Sequence, residues 1–154
     1  MAGVMSVIGP RGVGKTTGLQ HLYCIRLNGR DVSLIHMSQL LNTISRERFG
    51  VFLAELESDL KLVVRKECAS TVSLLSCNPL ILDTHYVEMV TGGRVEILIS
   101  EESKSLITAQ IFVQASPNVV LSRRLADSSG RARSVNIGEI EIEIRKEKEL
   151  AFSI

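Results

Sequence analysis

At 154 residues, with 45% hydrophobic and 23% charged side chains, the chain is long enough to bury a core as one domain and too apolar to be disordered. Its 18 basic and 17 acidic residues nearly cancel, which removes any global electrostatic reason to expect nucleic-acid or membrane binding. No stretch approaches the roughly 20 apolar residues that cross a bilayer, and a glycine loop breaks the apolar start where a signal peptide would continue. Cys24, Cys68 and Cys77 are an odd number without Cys-x-x-Cys spacing. That argues against a disulfide framework or a zinc site and fits a reducing cytoplasm.

In chain order, Val4 to Ile8 is a short apolar run that reads as a buried strand, and "GPRGVGKTTG" follows it at residues 9 to 18. Thr16 to Asn28 reads as a helix, with Leu19, Leu22, Tyr23 and Leu27 at helical spacing and Gly29 as its stop. Val32 to Met37 is a second strand, and Gln39 to about Glu47 a short helix with Ser38 as N-cap. A long helical tract covers Val51 to about Ser76, where Phe52, Leu53, Leu56, Leu60, Val63, Val64 and Cys68 form an apolar face. Leu80 to Asp83 and Ala109 to Ala115 are the third and fourth strands. In "ASPNVVLSRRL", Ser116 caps a helix with Pro117 in its first turn and Val120, Leu121 and Leu125 inward. The tail alternates Ile140, Ile142 and Ile144 like a strand, yet Ile137, Ile140, Ile144 and Ala151 share a helix face, and the pair Glu141 and Arg145 favours helix. Strands alternating with helices predict an α/β chain with a mostly parallel sheet.

The loop satisfies Gly-x-x-x-x-Gly-Lys-Thr through Gly9, Gly14, Lys15 and Thr16. Backbone N–H groups around Gly12, Val13 and Gly14 can enclose a nucleotide phosphate, Lys15 brings a positive charge, and the Thr16 hydroxyl is placed to ligate magnesium. Asp83 closes the buried run "LILD", at the carboxyl end of a strand where such sites lie, and is the candidate carboxylate of the magnesium shell. His85 shares its side if the strand continues and is either a substrate contact or a structural histidine. Arg123 and Arg124 near a helix end, with Arg131 and Arg133 in the Gly/Ser-rich "DSSGRARSV", form a cationic set suited to phosphoryl transfer. Closure of that segment, at about 127–136, would expel water as a lid does.

At these residues the chain resembles the archaeal-type adenylate kinases, a branch of the P-loop nucleoside monophosphate kinases. The resemblance runs over nearly the whole chain and is strongest at "GPRGVGKTT", "LILDTH" and "VQASPNVVLSRRLADSSGRAR". It implies a three-layer P-loop NTPase fold with a parallel sheet in the order 2-3-1-4-5, ATP and Mg2+ as cofactors, and AMP as the acceptor. It carries phosphate binding to Gly12, Gly14, Lys15, Thr16 and Thr17, magnesium support to Asp83, and phosphate stabilisation to Arg124, Arg131 and Arg133, with Arg123 beside them. Ser38 and Gln39 match the segment that lines the monophosphate site.

Three departures stand out. The family's arginine at the start of the long helix is replaced by "GVFLAEL", with only Arg46 and Arg48 nearby. Ser134 follows the Arg-x-Arg pair where an aspartate is expected, and one extra residue separates that pair from Arg123 and Arg124. The family's last strand and helix have no counterpart, so the expected order is 2-3-1-4 with an exposed fourth strand, an edge that a second copy of the chain could cover. The expected activity is ATP + AMP ⇌ 2 ADP within a single domain spanning 1–154. Two alternatives remain open: a P-loop ATPase or nucleotide-dependent switch, and a kinase of another small acceptor.

Overall fold

The computed structural model describes residues 3–22, 26–27, 29–90, 93–127 and 134–153. Arg131, Arg133, Tyr23, Cys24 and most of the expected lid lie outside them.

Four parallel strands form the main sheet. β1 (Val4–Ile8) lies between β5 (Leu80–Asp83) and β8 (Ile107–Phe112), and β4 (Ser33–His36) pairs with the far side of β5. Taken in chain order, these strands stand 2-3-1-4, as expected. All four residues of β5 are buried, which explains why it reads as an unbroken apolar run, while β4 and β8 are more exposed at the edges.

Side chains alternate between the two faces. Val4, Leu80 and Leu82 pack with Val72 of α3 (Ser58–Leu75), whereas Val7 and Ile81 pack with Leu19 of α1 (Lys15–Leu19) on the other face. Helices therefore cover both sides of the sheet, and each fully buried Val or Leu contributes about 1.5–3 kcal/mol of burial. No helix among the described residues is long and apolar enough to cross a membrane.

Several elements differ from expectation. The helix expected to reach Asn28 ends at Leu19, continues as a 3₁₀ turn over Gln20–Leu22, and gives way to an antiparallel pair, β2 (Arg26–Leu27) and β3 (Arg30–Asp31). Thr16, Thr17 and Gly18 are weak helix formers, and Gly29 at φ 78° serves a turn between strands, closed by an ion pair of Arg26 with Asp31 at 2.8 Å. Helix α2 runs Met37–Phe49, so Ser38 sits inside its first turn instead of capping it. The long tract is divided into a 3₁₀ turn at Leu53–Glu55 and α3, because the Glu55 carboxylate accepts the Phe52 N–H at 2.8 Å and starts a separate turn. Phe52, Leu60 and Val63, expected inward, are exposed, and Val64, Cys68, Ala69 and Val72 form the buried stripe.

Two elements were not expected: an antiparallel hairpin, β6 (Val87–Val90) with β7 (Arg94–Ile97), and the helix α4 (Glu101–Leu106) capped by Ser100. β8 begins two residues earlier than expected. Ser116 does cap α5 (Pro117–Ala126), accepting from Val119 N at 3.4 Å. Within α5, Val120 and Arg124 are buried and Leu121 packs partly buried against the same cluster, as expected for Val120 and Leu121, whereas Leu125 points to solvent. The tail is helical, α6 (Ile137–Ala151), with Asn136 as its cap and Ile140, Ile144 and Ala151 buried; Ile137 remains exposed.

α6 also fixes the hairpin. Glu147 is fully buried, and its two carboxylate oxygens accept the backbone N–H groups of Tyr86 at 2.7 Å and Val87 at 2.8 Å. Burial pushes this carboxyl up from an ordinary 4.5 to about 7, outweighing those two hydrogen bonds and the Lys15 charge. Between pH 4.5 and 7 the folded chain then holds a proton that the unfolded chain has lost, so this group's contribution to stability falls as pH rises. In urea melts across that range, wild type is expected to lose stability relative to Glu147→Gln as pH rises. A constant difference between the two would rule out this titration.

Candidate functional site

The loop between β1 and α1 is built by backbone geometry that only glycine adopts easily. Gly9 and Gly14 have φ of 150° and 99°. A Cβ on Gly9 would collide with the Val113 carbonyl, and one on Gly14 would lie 3.1 Å from Arg123 Nη1. Lys15 opens α1 and folds its ammonium back over the loop, donating to Gly9 O and, at 3.3 Å, to Pro10 O. Burial lowers its pKa, against the raising pull of Asp83 and Glu147. The cation is thus poised against backbone carbonyls, a weak set of partners that an anion with full negative charge can replace.

The next residue meets the carboxylate. Thr16 Oγ1 donates to Asp83 Oδ2 at 2.8 Å, and His36 Nδ1–H donates to the same oxygen at 2.9 Å. Strand register creates this meeting, since His36 and Val7 both align with Asp83, at the carboxyl ends of β4, β1 and β5. Asp83 is only 8% exposed. Among the described residues no group of three or more His, Cys, Asp or Glu side chains could cage a metal. A single carboxylate beside a hydroxyl does fit magnesium, which keeps water and phosphate oxygens in its shell. His36 was not expected here; strand register alone sets it level with Asp83.

The arginines divide into two groups. Arg123 Nη1 donates to Val13 O at 2.6 Å and sits over the loop from outside. Arg124 is buried: Nε and Nη2 donate to Arg11 O at 3.1 and 2.9 Å, Nη1 to Ser134 O at 3.0 Å, and Nη2 to both oxygens of Glu143 at 2.9 Å. It braces the loop from beneath. Arg11, within the loop, donates through Nε to His85 Nε2 at 3.1 Å and pairs through Nη1 with Glu88 at 2.6 Å. His85 therefore meets a loop arginine.

These groups surround a cleft of about 1500 Å³. It brings together Gly12, Val13, Gly14, Lys15, Thr16, Thr17, Ser38, Gln39, Asp83, His85 and Arg123. Gly9 and Arg124 lie behind its wall.

No protein-family model matches the chain, and no curated protein matches it in sequence. Solved structures do match in fold. A chain of the Pnkp1/Rnl/Hen1 RNA repair complex has a TM-score of 0.64 at 10% identity, over 99% of this chain and 46% of that one, so this chain spans about half its length. The tunicamycin resistance protein of Deinococcus radiodurans has a TM-score of 0.62 at 18% identity, over 96% of this chain and 81% of that one. A protein of Chloroflexus aurantiacus described as a candidate kinase has a TM-score of 0.58 at 19% identity, over 95% and 76%. The chain shares the α/β fold of these structures, with a central parallel sheet and the glycine loop at the strand ends.

Proposed function

We propose that the chain is a P-loop phosphotransferase that moves the γ-phosphoryl group of ATP to a nucleoside monophosphate, AMP in the first instance. The observation that carries this reading is the arrangement in one cleft of Lys15 and the Thr16–Asp83 pair at one end and Ser38 and Gln39 at the start of α2. That gives room for a phosphate donor and an acceptor side by side. Bound at Thr16 and Asp83, magnesium supplies charge neutralisation on the phosphate oxygens. An oxygen of the acceptor phosphate attacks the γ-phosphorus in line; the new P–O bond forms as the bond to the bridging β–γ oxygen breaks, and ADP leaves with that electron pair. Lys15 follows the negative charge across the transfer, and Arg123, with Arg131 and Arg133 of the following segment, adds positive charge. No covalent enzyme intermediate is required. The likeness to one protein described as a candidate kinase supports this reading by analogy of fold.

A nucleotide-dependent switch is the second reading, favoured by one observation: Arg123 and Arg124 both donate to loop carbonyls. Following ADP formation from ATP and Mg2+ with and without AMP separates the two. The kinase reading expects ADP production that depends on AMP and consumes it; ATP hydrolysis indifferent to AMP would replace it with the switch.

A further inference from the structure

The hairpin β6–β7 presents two glutamates to the cleft. Glu88 and Glu96 are direct partners in the antiparallel register, so they lie on one face, with Cβ atoms about 5 Å apart. Tyr86, Val90 and Leu98 line the cleft from that same face. Like charges directly opposite each other weaken a strand pair, so this placement works against the hairpin unless cations meet it.

Two do, from two different walls. Arg11 of the phosphate loop reaches Glu88 at 2.6 Å, and Arg65 of α3 reaches Glu96 at 2.8 Å. Lys61, one turn before Arg65, lines the cleft as well. The side chains of Arg11 and Glu88 are 32% and 34% exposed, and those of Arg65 and Glu96 20% and 40%. Pairs this open to water hold weakly and exchange partners at little cost, unlike a buried pair. Guanidinium forks fit phosphate as well as carboxylate, and a phosphomonoester brings nearly twice the charge and three acceptor oxygens.

We propose that Arg65 and Arg11 are the cations of the acceptor-phosphate subsite, with Glu88 and Glu96 as internal carboxylates that a phosphomonoester displaces on binding. This inference rests on the phosphotransferase reading for the identity of the acceptor, and on the side-chain geometry for its site.

The test uses the full chain preloaded with Mg2+ and a saturating ATP analogue whose β,γ-bridge is an imido group, so that the phosphate loop is filled and no transfer occurs, and titrates in AMP and, separately, inorganic phosphate by calorimetry. Arg65→Ala is expected to weaken both by roughly tenfold or more, and Arg65→Lys by less, because it keeps the charge and loses the fork. The double variant Glu88→Gln/Glu96→Gln, which keeps side-chain size, is expected to tighten both about threefold or more at low salt. Thermal melts establish that each variant is folded. Unchanged phosphate binding in Arg65→Ala, or weaker binding in the glutamine pair, overturns the proposal. Phosphate binding that responds as expected in a chain that does not turn over AMP removes the kinase reading and leaves the subsite. AMP turnover with an unaltered KM in Arg65→Ala removes the subsite and leaves the kinase.

Discussion

Lys15→Ala is expected to lower the rate of phosphoryl transfer by on the order of a hundredfold to a thousandfold while leaving the chain folded. The ammonium is half-buried, its pKa is lowered by that burial, and its hydrogen bonds go to Gly9 O and Pro10 O. Removing it relieves a desolvated charge and leaves two carbonyls short of a donor. These effects oppose each other, so the melting midpoint should move by about 1 kcal/mol of stability or less. Charge building on the transferring phosphate has no such compensation, because the other loop cation, Arg11, is engaged by His85 and Glu88. ADP formation and thermal melts on the same preparation check both halves. Activity within tenfold of wild type would place the chemistry away from this loop. A large loss of stability would make Lys15 a structural residue first.

The parts of the fold that were legible are those where one physical cause dominates. β1 and β5 are buried on both faces, so Val4 to Ile8 and Leu80 to Asp83 carry no polar alternation to confuse them. The loop was legible because glycine at Gly9 and Gly14 answers a backbone requirement. The hairpin was missed because Glu88, Glu96 and Arg94 interrupt its apolar positions, although Val87 and Met89 against Val95 and Ile97, across Gly92–Gly93, do alternate like paired strands. The pair at Asn28–Gly29 was a hairpin signature too, read instead as a helix end. His36 became part of the site through register with Asp83, which no local pattern encodes. The phase of α5 was the subtlest case: Leu125 competes with Arg124 for the inward position, and hydrophobicity favours the wrong one. A clue lay in α6, where Glu143 and Glu147 fall on the same face as Ile140 and Ile144. Acidic residues on a buried face demand partners.

For Glu143 that partner is Arg124, and the pair yields the largest expected loss of stability. With side chains 2% and 4% exposed, it lies out of water, so Arg124→Ala strands a buried carboxylate and should cost about 3–5 kcal/mol. A domain of this size has roughly 5–15 kcal/mol in total. The same change withdraws both donors from Arg11 O, loosening the phosphate loop at the residue that also reaches Glu88. The double variant Arg124→Met/Glu143→Met distinguishes a brace from a catalytic contact. Replacing both charges with apolar groups of similar volume removes the stranded carboxylate, so stability in urea should return to within about 2 kcal/mol of wild type. If Arg124 only braces the loop, nucleotide affinity and turnover recover in part along with the fold. If the stable double variant binds ATP yet transfers nothing, Arg124 leaves Glu143 during the reaction and meets the phosphate itself, the role implied by resemblance to adenylate kinases.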